Sequence, residues 1–163
     1  MNFITVEKGN DAHRDALTRL MLDYIRETDG HMGRQTPEGI VLRVTDSMID
    51  KLNEDRVLLL LSVDGVHVGF FYAKIDRHGD CGEIRPDWGY IMEFYVSPEY
   101  RRRGLGRQMV RKCEDFFAER GADSVWLTAD GVTGEPFWRS VGYDHTGEVS
   151  AENGQRIFTK RLE

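Results

Sequence analysis

The stretch "SPEYRRRGLGRQMV", Ser97 to Val110, sets three arginines in a row, Arg101 to Arg103, directly before a Gly-x-Gly at Gly104 and Gly106. Just upstream, "YIMEFYV" reads as a strand that Pro98 ends. Downstream, Leu105, Met109, Cys113, Phe116 and Phe117 recur every three or four residues until Gly121, which predicts a helix of about four turns. A strand therefore passes through a basic, glycine-bearing turn into a helix. Helix N-termini leave backbone N–H groups unpaired and carry the positive end of the dipole, so this turn attracts anions. Gly104 and Gly106 let phosphate oxygens approach, and Arg101, Arg102, Arg103 and Arg107 can add charge-assisted bonds. A pyrophosphate suits that combination; a solvated turn and a nucleic-acid patch are the competing readings.

The rest of the chain weighs against the nucleic-acid reading. Its 163 residues carry 28 acidic against 22 basic side chains, a formal net charge of −6, so the basic patch is local. No aromatic residues interleave after the arginines to offer stacking platforms. With 40% hydrophobic and 31% charged residues, the chain is expected to form one globular domain, 1–163, with a sizeable core. Cys81 and Cys113 lack CxxC spacing, which fits a reducing compartment and argues against a disulfide framework or a zinc site. The opening "MNFITVEKGNDAHRD" has no basic segment followed by an apolar run, and no stretch approaches the length of a membrane span, so the expected location is the cytoplasm.

Phe3 to Val6 alternate as a strand, and Asn10 or Asp11 caps a helix with Leu17, Leu20, Met21, Tyr24 and Ile25 on its apolar stripe. "TDGHMGRQTPEGI", Thr28 to Ile40, reads as a mobile loop, followed by a helix in "DSMIDKLNED". "RVLLLLSV", Asp64-Gly65 and "VHVGFFYAKI" predict an antiparallel hairpin, and "DRHGDCGEIRPDWG" is too broken by Gly and Pro to be regular. After the helix from Leu105 come the strand "SVWLTA", the short helix "EPFWRSV", and the strands "YDHTGEV" and "QRIFTKRL". The order β, α, α, β, β, β, α, β, α, β, β predicts a mixed α+β sheet with helices on its faces.

Among phosphate-binding motifs, a dinucleotide fold wants a third glycine where Met109 stands, and a P-loop wants a Gly-Lys pair that the chain lacks. What remains is Arg101-Arg102-Arg103-Gly104-Leu105-Gly106, preceded by "FYVSP" and followed about thirty residues on by "FWRSVGY". On these two motifs and the matching order of elements the chain resembles the GNAT superfamily of acetyl-CoA-dependent N-acetyltransferases. The resemblance implies a mostly antiparallel, twisted central sheet with a splayed pair of cofactor-binding strands. It also implies acetyl-CoA as cosubstrate, with no metal.

Carried over residue by residue, the resemblance gives the backbone of Phe94 and Val96 to the pantetheine arm, with the Phe94 N–H as donor to the thioester carbonyl. It gives the N–H groups from Arg103 through Gly104, Leu105 and Gly106 to Arg107 to the pyrophosphate, with the Arg101 and Arg102 side chains reaching toward it. Family members often use a carboxylate as base and a tyrosine in the second signature as acid. At the tyrosine position stands Trp138, whose indole N–H has no useful acidity near neutral pH. Another group such as Tyr95, or a water, must then protonate the thiolate, or it leaves unprotonated. Trp138 has two readings, packing against the cofactor arm or a core aromatic.

For the base the candidate is Glu93, beside the implied thioester site, although strand alternation puts its side chain opposite that of Phe94 unless a bulge intervenes. Glu83 and Asp87 are the runners-up. His31, His67 and His78 are scattered, and Cys113 lies on an apolar stripe. The acceptor is expected at Thr28 to Ile40 and Arg77 to Gly89, whose mild acidic excess suits a cationic primary amine on a small molecule or a protein N-terminus. The alternative function is an acyl-CoA-binding sensor or partner domain without transfer. A homodimer through the terminal strand "QRIFTKRL" is compatible with the sequence.

Overall fold

The computed structural model describes residues 1–131 and 134–163. Seven strands, β1 (Asn2–Thr5), β2 (Arg56–Val63), β3 (Val66–Ile75), β4 (Gly89–Val96), β5 (Ser124–Ala129), β6 (Asp144–Val149) and β7 (Arg156–Arg161), form a sheet in the order β1-β2-β3-β4-β5-β7-β6. The helices are α1 (Asp11–Met32), α2 (Glu38–Asp50), α3 (Leu105–Glu119) and α4 (Gly134–Ser140), in the predicted order. The chain divides into two compact units, Met1–Tyr72 with Glu93–Gly106, and Ala73–Met92 with Arg107–Glu163.

In the first unit, β1 pairs antiparallel with β2, and the β2–β3 turn has both central residues left-handed, Asp64 at φ 50° and Gly65 at φ 79°. That is the geometry a two-residue hairpin demands. Buried Leu17, Leu20 and Met21 of α1 and Val41, Met48 and Ile49 of α2 supply the helical part of the core. Across the paired helices Arg14 grips both oxygens of Asp46 at 2.6 and 3.0 Å. The expected mobile loop is mostly helix: α1 runs on to Met32 and α2 already starts at Glu38. The cause is Asp29, which the sequence pattern assigned to the loop. Its buried carboxylate accepts from Arg34 Nε at 2.8 Å, from the Thr36 amide at 2.7 Å and from the Thr36 hydroxyl at 3.0 Å, tying down the chain after the helix. Gly33, at φ 65°, closes α1 with its N–H on the Asp29 carbonyl, and the favourable cap outweighs the roughly 1 kcal/mol that Gly30 costs inside the helix.

In the second unit, β7 lies between β5 and β6 and pairs antiparallel with both. Its edges are therefore taken, which closes the route to a dimer through "QRIFTKRL"; the edge strand is β6, broken by a register shift between His145 and Val149 and by Gly147 at φ 88°. The irregular segment before β4 is pinned by Asp76, whose buried carboxylate takes Trp126 Nε1 at 2.7 Å, the Arg85 amide at 2.8 Å and Lys74 Nζ at 3.2 Å. The β4–β5 register is parallel and covers Gly89↔Val125 and Tyr90↔Trp126, the first two residues of β4.

Gly89 is at the start of that register because nothing larger fits. A Cβ there would meet three carbons of the buried Phe117 ring at 2.5 to 2.7 Å. Gly89→Ala is expected to cost about 1–3 kcal/mol by overpacking, read as a lower urea midpoint at unchanged m-value, and Phe117→Leu in the same chain should recover part of the loss.

Candidate active site

The predicted site residues of the first unit gather where β4 meets α1. Tyr24 of α1 donates its hydroxyl to Glu93 Oε2 at 2.5 Å, and its ring packs edge-on to Phe70 (centroids 5.9 Å apart) and against Tyr95 (5.5 Å). Glu93 and Tyr95 thus share the face of β4 toward α1, and alternation sends the Phe94 and Val96 side chains the other way. Glu93 keeps partial contact with solvent, yet the protein around it withdraws enough water to push its carboxyl up to about 7, against the pull of the Tyr24 hydrogen bond. Tyr95 is 5% exposed, and burial, then the charge of Glu27, raises its pKa, so it stays protonated.

One turn beyond Tyr24, Glu27 receives both terminal nitrogens of Arg101, at 2.8 and 2.7 Å, while Arg101 Nε donates to the Val96 carbonyl at 2.8 Å. The Arg101 side chain, expected to reach toward phosphates, is therefore committed to α1 and to the end of β4. Its pKa is raised mainly by the Glu27 hydrogen bond, and its guanidinium lies 5.7 Å from the Tyr95 ring centre. The turn then takes two left-handed residues, Arg102 at φ 62° and Gly104 at φ 79°. For Arg102 this costs about 1 kcal/mol, a strain of the kind found where backbone must be aimed. Arg102, Arg103 and Gly104 are exposed, Arg103 leans over the Tyr100 ring at 5.2 Å, and a Cβ on Gly104 would meet no atom within 4 Å. Leu105, buried, anchors the start of α3, whose first turn contains no acidic residue to satisfy its dipole from within. The exposed cations and this helix start fit an anionic group.

In the second unit, Arg107 donates to the Ser140 carbonyl at 3.2 Å. Trp138 is buried, its ring edge-on to Phe137 (5.0 Å) and Tyr143 (5.3 Å), as a core aromatic. The tyrosine of "GY" offers no replacement acid: Tyr143 is fully buried, donates to Glu114 at 3.1 Å, and has its pKa driven far up by desolvation. The runners-up are engaged too, Glu83 as acceptor from Ser150 Oγ at 2.9 Å and Asp87 in a 2.8 Å ion pair with Arg77. Cys113 is fully buried and its thiol is pushed up by burial, in keeping with a core position. Sequence reasoning missed Tyr24 and Glu27 as site residues. The available signal was a tyrosine on the apolar stripe of α1, whose hydroxyl needs a partner.

A sheet in this strand order, a strand leading through a left-handed turn to a helix start, and a partly desolvated carboxylate on that strand are the features to be matched against known proteins. Residues 18–143 match the acetyltransferase (GNAT) family, and the chain belongs to it. It is 35% identical over 63 residues to streptothricin acetyltransferase of Streptomyces lavendulae, a match spanning 37% of this chain and 33% of that protein. Aminoglycoside 6′-acetyltransferase type Ii has the same fold, with a TM-score of 0.73 at 18% identity over 100% of this chain and 98% of that one. So has the PaiA N-acetyltransferase of Thermoplasma acidophilum, solved with coenzyme A, at a TM-score of 0.71 and 14% identity over 99% and 100% of the two chains. Tetrahymena GCN5 aligns at 0.69 and 11% over 100% and 97%. Among the described residues no helix is long and apolar enough to cross a membrane, and no cluster of side chains is arranged to hold a metal ion.

A folded-state carboxyl near 7, against 4.5 for the free side chain, binds its proton more tightly in the folded chain. Stability on this account is fully present below pH 4.5 and declines as pH rises toward 7. Glu93→Gln, which keeps an acceptor for Tyr24, is expected to gain about 1–3 kcal/mol over wild type at pH 8. The difference should vanish near pH 4, and paired urea titrations at the two pH values measure it.

Proposed function

We propose that the chain transfers an acetyl group from acetyl-CoA to a primary amine by direct attack. The observation that carries this reading is the position of Glu93: a carboxyl poised near neutrality on the strand that runs into the anion-attracting turn. The carrier's pyrophosphate would lie against the N–H groups from Arg103 to Arg107 and the exposed Arg102 and Arg103 side chains. Arg107 would contribute backbone, and the pantetheine arm would follow Phe94 and Val96, beyond the short β4–β5 register. The Phe94 N–H would meet the thioester oxygen as charge develops on it.

In the reaction the amine nitrogen attacks the thioester carbonyl carbon, the C–S bond breaks, and Glu93 takes the ammonium proton, directly or through one water. With a pKa of about 7, Glu93 is ionised in a substantial fraction at the near-neutral pH of the cytoplasm, the location proposed here, and is strong enough as a base to compete for that proton. Trp138 is buried among aromatics, so thiolate departure relies on a water or proceeds unprotonated; Tyr95, protonated but buried, is the remaining protein donor. The acceptor class that fits best is a cationic amine of the aminoglycoside or streptothricin kind, supported by the named activities of the relatives. An acyl-CoA-binding domain without transfer is the second reading, favoured by tryptophan in place of the family's tyrosine.

Acetyl-CoA and CoA should each raise Tm of the wild type, and Gly104→Asp should lose the rise because its carboxylate repels the pyrophosphate. Gly104→Asn, which tolerates the left-handed backbone equally well, should keep most of it. Free thiol release with spermidine, kanamycin, streptothricin and an N-terminally free tripeptide then separates the two readings. Turnover on at least one amine, reduced by roughly 10²–10⁴ in Glu93→Gln, is expected; binding without turnover on any would favour the non-transferring domain.

A further inference from the structure

We propose that Tyr24 is a positioning residue of the reaction: its hydroxyl, set by the packing of its ring on Phe70 and Tyr95, fixes Glu93 Oε2 so that Oε1 is presented to the acceptor amine. The inference rests on the acetyl-transfer reading above and concerns how this chain holds its base. A glutamate on a strand has freely rotating side-chain bonds, and a carboxylate that swings toward water loses both its aim and its raised basicity. Tyr24 removes that freedom. Phe70 is fully buried on β3 and Tyr95 nearly so on β4, so two walls locate the phenol ring, and α1 supplies its backbone.

The bond also has a chemical direction. A phenol hydroxyl bonds a carboxylate more strongly than a carboxylic acid, so Tyr24 favours the ionised, proton-accepting form while burial favours the neutral one. During transfer the amine proton goes to Glu93 Oε1 and the phenol keeps its own, so no proton is left unassigned. The other ionisable groups facing this spot leave Tyr24 as the controlling partner. On α1, Glu27 is paired with Arg101 of the turn, and Asp23 faces solvent beside Arg26 at 3.7 Å; on β4, Tyr95 is protonated.

The test uses the whole chain as wild type, Tyr24→Phe and Glu93→Gln. Tyr24→Phe keeps the ring and its packing, and a cooperative urea transition with the wild-type m-value at pH 5, where Glu93 is mostly protonated, checks that it folds. The Glu93 carboxyl is titrated by carbon NMR, with Glu93→Gln assigning the signal, and kcat/KM is followed from pH 5.5 to 9.5 with acetyl-CoA and the best amine of the screen. The expected result is that Tyr24→Phe moves the Glu93 titration upward by about one unit and the acid limb of kcat/KM with it. Activity then falls roughly tenfold at pH 6 and recovers partly by pH 9, the unrecovered part being lost aim. A Glu93 titration that stays or falls in Tyr24→Phe overturns the proposal whatever the activity. A titration that rises while the acid limb does not move overturns the catalytic role and leaves acetyl transfer standing. Absence of turnover by wild type on every amine overturns acetyl transfer itself, and Tyr24's part in it.

Discussion

At Arg101 the end of β4 is joined to α1. Its guanidinium donates to the Val96 carbonyl and to both oxygens of Glu27, three bonds at 2.7 to 2.8 Å. The pair is partly open to water, so its net worth is about 1 kcal/mol or less, and its importance is geometric. From Ser97 the chain must turn through a short 3-10 segment, pass Arg102 and Gly104 in the left-handed region, and start α3 at Leu105. Strained backbone of that kind persists only where its surroundings over-determine it. Arg101 fixes the entry to the turn and buried Leu105 fixes its exit, so the exposed residues between them hold one shape.

The same helix therefore serves both chemical needs of the first unit. Tyr24 reaches the carboxylate and, a turn later, Glu27 reaches the arginine. Three residues apart on a helix point to neighbouring positions on one face, so a rotation of α1 that displaced one contact would displace the other. Base and anion turn are consequently held to a common frame rather than to separate loops. Gly33 and the Asp29 cluster extend that frame by stopping α1 at a defined residue.

Much of this fold was legible because local period reports local structure. The alternation in "YIMEFYV", the Leu105 to Phe117 stripe and the Asp64-Gly65 turn each specify their element within a few residues, and the element order follows from them. The end of α1 was not legible, because Gly30, Gly33 and Pro37 read as breakers while the carboxylate that organises them looks like any polar loop residue. At the site, Glu93 was named from its place on the strand, whereas its partner lies 69 residues away in sequence and the partner of Arg101 lies 74 away. Such pairs leave no periodic trace. The run of arginines illustrates the limit: composition cannot tell which of three adjacent guanidinium groups points inward, and here it is Arg101 that bonds the strand end and α1 while Arg102 and Arg103 are exposed.

That division of labour among the arginines also bears on the base. A guanidinium near a carboxylate ordinarily pulls the carboxyl pKa down, and a site that collects cations for a pyrophosphate endangers the basicity it needs a few residues away. Glu93 is spared this, because Arg101 is paired with Glu27 while Arg102 and Arg103 extend into solvent, where water screens them. What governs Glu93 is then desolvation, opposed by Tyr24. Unpairing Arg101 would free a partly exposed cation in this unit, which favours the ionised carboxylate, lowers its pKa and weakens the base. Glu27 thus keeps the anion turn and the proton acceptor electrostatically separate within one small unit, while the bond it makes keeps them mechanically joined.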